Sequence, residues 1–216
     1  MSVIVTPPAA APAAGVEAAP RALPPIGLKE WAVAVRALDA GEQILLLRKG
    51  GIAEKQFLVE HEVFFLYPTY EHQQAAQIRP PFHDALARTL AEPRDPAAVR
   101  IADWARVVAA YPITDEATAD ALAAHTLWTP EYIRERLHWR PKKPLYALAL
   151  RVYRLAESRA IPYLPAYGGC KSWLDLDAGL AGAAGAPVLD DAAFARDLAR
   201  VREAVGAVGG AGSSGR

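Results

Sequence analysis

Cysteine is almost missing from this chain: Cys170 is the single thiol among 216 residues. That excludes a disulfide framework and a cysteine-based structural zinc site, and a reducing compartment is the expected setting. Long apolar runs are missing as well, since none approaches the roughly 20 residues a helix needs to span a bilayer. The N-terminus, Met-Ser-Val-Ile-Val-Thr-Pro-Pro, lacks the basic and sustained apolar regions of a signal peptide. Net charge is absent too, with 24 basic residues against 24 acidic ones. A uniformly basic nucleic-acid coat protein is thereby excluded, whereas a local basic patch is not. His61, His72, His83, His125 and His138 show no zinc-like spacing, so no metal is assigned. The expectation is a soluble, cytoplasmic protein without a membrane partner.

What is present is enough apolar material for one domain, 52% of all residues. Residues 1–26 form an Ala/Pro-rich tract holding six of the 18 prolines. With few bulky side chains to bury it is expected to be disordered. Residues 27–205 read as a single α+β domain, and 206–216 as a flexible Gly/Ser tail.

The strongest local instructions lie between His125 and Leu155. Thr129 is a good N-cap, Pro130 suits the first helical position, and Glu131 favours the positive helix end. Trp128 and Ile133 are spaced as a hydrophobic staple. Pro141 should stop the helix near Trp139. The apolar run Leu145–Leu150 then reads as a buried central strand. Earlier in the chain, Leu28, Trp31, Ala32, Val35 and Leu38 share a helical stripe that Gly41 ends, with a strand through Trp31, Val33 and Val35 as the alternative. Gln43–Lys49 and Gln56–Leu66 read as a hairpin turning at Gly50-Gly51. Pro80–Leu90 reads as a helix, Val99–Val108 as a strand, and Thr114-Asp115-Glu116 as the start of a helix reaching His125. Ile161–Leu164 reads as a short edge strand, and Asp190 or Asp191 opens a last helix of about 190–205. This order indicates a mixed or mainly antiparallel sheet with packed helices.

With those blocks laid out, the chain resembles the DUF1802 family, an uncharacterised bacterial domain of unknown function. The resemblance rests on Leu28-Lys29-Glu30-Trp31, Leu45 to Gly51, Phe65 to Thr69, His72-Gln73, Trp128-Thr129, Trp139 to Pro144, Arg151-Val152-Tyr153 and Gly169-Cys170. It covers residues 28–176 and implies no activity. A looser similarity of element order links the chain to PUA-like domains of the ASCH and EVE types, which implies RNA or a modified base as ligand.

Three groups of residues could carry chemistry. From Glu131 to Arg154 there are seven Arg or Lys against two Glu. Arg140, Lys142 and Lys143 lie between Pro141 and Pro144, next to Trp139. With Arg48, Lys49 and Arg151 they could hold phosphates of RNA, DNA or a nucleotide while an aromatic ring stacks on a base. The alternative is a solvated surface whose long stems cover apolar area. His72 and Gln73 follow a strand end and could read a polar ligand. Glu60 and Glu62 share a strand face across the turn from Lys49, a set able to orient water on a metal for phosphodiester cleavage. An edge strand with a solvated acidic face is the favoured reading of them, since the Asp followed by Glu-x-Lys spacing of metal-dependent nucleases is absent. The Gly-Gly-Cys-Lys-Ser segment at 168–172 fails the phosphate-loop pattern because Cys170 replaces the required glycine. Whether the protein is an enzyme, a binding domain or an interaction module, and which cofactor it uses, stays open at the level of sequence.

Overall fold

The computed structural model describes residues 23–49, 61–141, 143, 145–169, 171–176, 180 and 185–211, with side chains as far as Val208. Chain order is β1 (Ile26–Trp31), α1 (Ala32–Asp39), β2 (Leu45–Lys49), β3 (Val63–Thr69), α2 (His83–Ala91), β4 (Ala98–Ile113), α3 (Glu116–Ala123), α4 (Pro130–His138), β5 (Leu145–Pro162), β6 (Trp173–Asp175), β7 (Gly185–Pro187) and α5 (Asp191–Ala211). The strands form one sheet in the order β2-β5-β4-β3-β1-β6, and β7 adds to β5. Among the described residues only β1 and β3 run parallel; the other pairs are antiparallel. The α+β class with a mainly antiparallel sheet is as expected from the sequence.

The long strands β4 and β5 are the spine. They pair from Ala98 opposite Pro162 to Ile113 opposite Leu145, with register shifts at Ile101/Asp103 and Val107/Ala109. Such bulges bend a ladder and raise its twist, which lets two strands this long wrap a core. Leu145 and Ala147–Leu150 are buried, because β2 and β4 flank β5 there and both faces are covered. The expected strand Ile161–Leu164 is the far end of β5 rather than a separate element.

The sheet has two apolar faces. In β3, Phe64 and Leu66 join the larger cluster with α1, α3, α4 and β5, while Phe65 and Tyr67 join a smaller one with Ile101, Trp104 and Tyr167. This is the period-2 alternation expected of a strand covered on both sides.

Two sequence expectations are overturned. Among the described residues, β2 and β3, the described parts of the expected hairpin Gln43–Lys49 and Gln56–Leu66, do not pair with each other. The apolar stretch Leu45–Leu47 pairs instead with Ala147–Ala149 of β5, where it meets an equally apolar partner. Residues 50–60, with the Gly-Gly turn and Glu60, lie outside the described residues. The helix expected from Leu28 starts at Ala32, because Gly27 and Leu28 pair with β3 on one side and β6 on the other. Sheet hydrogen bonds there outweigh helical periodicity. Gly41 ends the helix as expected, at φ 70°, a conformation open to glycine at little cost.

The later helices start where the caps indicate. Asp115 accepts from the Thr118 amide at 2.8 Å and Thr129 from the Tyr132 amide at 3.2 Å. Trp128 and Ile133 are both buried in the same cluster. Asp190 accepts from the Ala193 amide at 2.7 Å, and α5 continues to Ala211, six residues past the expected end. Among the described residues no helix is long and apolar enough to cross a membrane.

The folded part also begins earlier than expected. Leu23 is buried in the smaller cluster. Leu23→Ala should lower stability by about 2–4 kcal/mol, the usual cost of emptying a buried leucine site. Urea unfolding of the full-length variant tests this, and an unchanged midpoint would show that Leu23 contributes no packing.

Candidate functional site

A concavity lies at the end of the sheet where β3 leaves, β4 enters and β5 finishes. It has a volume of about 600 Å³, within the range of small-molecule and cofactor sites. Its walls come from Tyr67–Glu71, the loop Glu92–Pro96, Ala98–Arg100, Ala160, Tyr163, Tyr167-Gly168 and Lys29. Each wall has a local cause. Pro68 follows Tyr67 near the end of β3, so the chain leaves the sheet just beyond it. Pro93 and Pro96 stiffen the loop into β4, where Asp95 accepts from the Ala97 amide at 2.8 Å. After β5, Pro165 opens a single 3-10 turn that ends at Tyr167.

Four tyrosines converge here: Tyr67, Tyr70, Tyr163 and Tyr167. Tyr67 and Tyr167 are buried and meet edge to face at 5.6 Å. Burial chiefly, and then Tyr163, Tyr167 and Glu71, push the Tyr67 hydroxyl well above the usual tyrosine range. It therefore stays protonated and available as a donor. Tyr163 is 43% exposed at the mouth. The cations are graded the same way: Arg94 and Arg100 are exposed, whereas Lys29 is half-buried and donates to the Gly169 carbonyl at 2.9 Å. Arg94 lies over the Tyr70 ring at 4.1 Å, and Arg100 donates to Ser158 at 2.8 Å. Of the acids, Glu92 pairs outside the cleft with Arg36, which leaves Glu71 and Asp95.

The site residues inferred from sequence do not converge on this cleft. Arg48 crosses from β2 to β1, donating to the Lys29 carbonyl at 3.2 Å and to Glu30 at 3.0 Å. The pair sets a half-buried guanidinium on a buried carboxylate and joins strands that are not neighbours in the sheet. Lys49 donates to the carbonyls of Arg136 and Leu137 at 2.7 and 2.5 Å, a cation at the C-terminus of α4. Burial, then Arg136, holds its ammonium below the usual lysine range. Gln73 accepts from the Val33 amide at 3.0 Å and so caps α1, which has no capping side chain of its own. His72 is exposed with φ 62°. Arg151 binds Asp191 at 2.6 Å and the Asp190 carbonyl at 3.2 Å, and lies over Phe194 at 4.7 Å. It fastens the start of α5 to the sheet.

The basic segment sits at the opposite end of β5 from the cleft. Trp139 is 37% exposed, with the guanidinium groups of Arg136 and Arg140 at 4.8 and 4.6 Å from its ring centre. Arg140 has φ 53°, and Lys143 is half-buried. Lys142 and Cys170 lie outside the described residues. Glu62 is exposed just before β3. Lys49 is held against α4, so the described part of the acid–lysine set is not assembled in one place. Among the described residues no group of three metal-ligating side chains occurs.

The signal that sequence reasoning passed over was a repeated local pattern. Tyr67-Pro68-x-Tyr70 and Tyr163-x-Pro165-x-Tyr167 each place two tyrosines around a proline at a strand end. Their convergence requires the β3-β4-β5 order, which neither segment carries alone.

A family model described as domain of unknown function (DUF1802) matches residues 27–200. The chain belongs to the DUF1802 family. Two crystal structures of ASCH from Zymomonas mobilis are similar in fold to this DUF1802 chain, each at 10% identity. A mutant form covers 71% of this chain and 88% of its own, with a TM-score of 0.41, and the other covers 81% and 92% with a TM-score of 0.39. At those scores the cleft rests on its own geometry. No curated protein matches the chain.

The charge of Arg100 also acts on a buried acid, Asp103, paired with the half-buried Asp39. Asp103 is 2% exposed, with one carboxyl oxygen lacking a hydrogen-bond partner. Burial first, then the charge of Asp39 and a hydrogen bond to it, raise the Asp103 carboxyl from 3.8 to about 7, against the opposing pull of Arg154 and Arg100. Arg154 grips Asp39 at 2.5 Å. The native state therefore keeps a proton that the unfolded chain releases, so this stabilisation is full below the ordinary carboxylate range and is lost as pH rises toward and through 7. Asp103→Asn should gain stability relative to wild type as pH is raised from 4 to 8, measured by urea unfolding at each pH. A constant difference would show that Asp103 does not titrate in that window.

Arg48→Ala should cost about 3–5 kcal/mol by leaving Glu30 buried without its partner. Ligand affinity, measured where the variant remains folded, should be unchanged. A loss of affinity at full stability would instead make Arg48 a ligand contact.

Proposed function

We propose that this DUF1802 domain binds a nucleobase-containing ligand, a nucleotide or nucleic acid, in the tyrosine cleft. The observation that carries this reading is the convergence of four tyrosines with two exposed arginines at one mouth. Aromatic rings supply faces for a planar base and guanidinium groups supply phosphate contacts, the combination used for single-stranded nucleic acids. The protonated Tyr67 hydroxyl adds a donor in the depth of the cleft. Binding is therefore assigned here rather than to the Arg140–Lys143 segment.

A second reading has one observation in its favour. The exposed Trp139 beside Arg136 and Arg140 forms a basic aromatic surface, which with Lys142 and Lys143 could contact phosphates outside the cleft. The metal-dependent phosphodiesterase reading through Glu60, Glu62 and Lys49 has no such support, because the Lys49 ammonium is bound to α4.

Tyr163→Ala should weaken nucleoside binding about tenfold, in line with roughly 1–3 kcal/mol per stacked base, in calorimetric titrations with adenosine, guanosine, cytidine and uridine. Arg140→Ala combined with Lys143→Ala should leave those affinities unchanged. If wild type binds none of the nucleosides at millimolar concentration, the cleft is not a base site. If the double variant alone loses nucleic-acid binding, the contact belongs at the end of α4.

A further inference from the structure

The cleft's charge and layering say which form of nucleobase ligand it takes. Three cations line it, Lys29, Arg94 and Arg100, against Glu71, Asp95 and Glu92. Glu92 is neutralised by Arg36 from outside the cleft, so the lining offers a net single positive charge. A phosphodiester within a strand carries one negative charge, whereas a free monophosphate carries up to two and a triphosphate more. A free nucleotide would leave negative charge uncompensated beside Glu71 and Asp95, and like charges held close are unfavourable.

The layering agrees with this. Tyr67 and Tyr167 are buried, while Arg94, Arg100 and Tyr163 are exposed at the mouth. A base would enter from the mouth against Tyr163, and its phosphate would remain at the rim, where a chain can continue in both directions. Leu164, also 43% exposed, follows Tyr163 and extends an apolar surface beyond the mouth. The next base of a strand would meet Leu164. Two of the five large exposed apolar side chains among the described residues stand at this spot, which a closed mononucleotide pocket would not need.

We infer that the cleft holds one unstacked nucleotide of a single-stranded nucleic acid, with its base against Tyr163, its phosphodiester on Arg94 and Arg100, and a neighbouring base on Leu164. This rests on the base-binding reading above and narrows it to an internal nucleotide of a strand. A duplex would not fit unless a base left the stack, which carries an energetic cost.

The test uses the full-length protein and fluorescein-labelled eight-nucleotide single-stranded RNA and DNA of mixed sequence, followed by fluorescence anisotropy. Unlabelled nucleoside, nucleoside monophosphate, triphosphate and the corresponding duplex serve as competitors. The oligonucleotides should bind at least tenfold more tightly than any mononucleotide, the triphosphate should compete no better than the nucleoside, and the duplex should compete at least tenfold more weakly than the single strand. The RNA and DNA arms show whether the 2′-hydroxyl contributes. Arg94→Ala with Arg100→Ala should weaken oligonucleotide binding and flatten its logarithmic salt dependence by about 0.7, one phosphate contact's worth. Nucleoside binding should be retained in that variant, which confirms that the cleft is still folded. Leu164→Ala should weaken the oligonucleotide and leave the nucleoside unaffected. A monophosphate or triphosphate that binds more tightly than the strand, or a duplex that binds equally well, would overturn the inference while leaving the base site intact. Failure of nucleoside and oligonucleotide alike would overturn both.

Discussion

The structure depends on the backbone ladder between β4 and β5. It runs from Ala98 and Pro162 at one end to Ile113 and Leu145 at the other, and the rest of the sheet attaches to its sides: β2 and β7 on β5, β3 on β4. Strands this long exceed the usual five or six residues, and a flat pair of that length could not enclose a core. The two register shifts supply the bend. They also turn an otherwise continuous run of alternating side chains, so that one end of the pair serves the larger apolar cluster and the other the smaller one. The cleft opens at the Ala98–Pro162 end, and the basic segment enters at the Leu145 end.

Charge in this protein is arranged around that frame. A neutral chain can still bury ions where each meets an opposite charge or a carbonyl. Arg48 meets Glu30 across strands separated in the sheet order, Lys49 meets the last carbonyls of α4, and Arg151 meets the start of α5. In the sequence these three cations were grouped with the basic segment at Arg140–Lys143 as candidate phosphate contacts. In the fold they close the curl of the sheet and fasten two helix ends. Gln73 belongs with them, since its carbonyl supplies the cap that α1 lacks. A polar residue that satisfies a buried backbone group is as constrained as one that holds a ligand, and local sequence does not distinguish the two.

Legibility followed the range of the interactions. The starts of α3, α4 and α5 were readable because Asp115, Thr129 and Asp190 act on amides three residues away. The buried start of β5 was readable because both its faces are covered and its residues are uniformly apolar. The β2 partner was not readable, because the match of Leu45–Leu47 to Ala147–Ala149 spans about a hundred residues. The opening of β1 failed for the same reason, since Leu28 is held by β3 and β6 together. The cleft combines both difficulties. Each of its tyrosine pairs is a local pattern, and only the sheet order makes them one site.

The contrast between the two ends of β5 also follows from the burial of their charges. At the Leu145 end the guanidinium groups of Arg136 and Arg140 already lie against Trp139. A base arriving there would have to displace an existing cation–π contact, and the gain from stacking would be reduced by its loss. At the cleft, Arg94 lies on Tyr70 while Tyr163 stays exposed beside a mouth with one net positive charge. A base can meet the Tyr163 ring without first breaking any such contact, and the exposed Arg100 can turn to a phosphate by giving up one surface hydrogen bond to Ser158. Surface hydrogen bonds contribute little net stability, so the exchange costs the fold little. The cleft end therefore gains more from a nucleotide than the more conspicuous basic end does, even though the latter carries the greater density of positive charge.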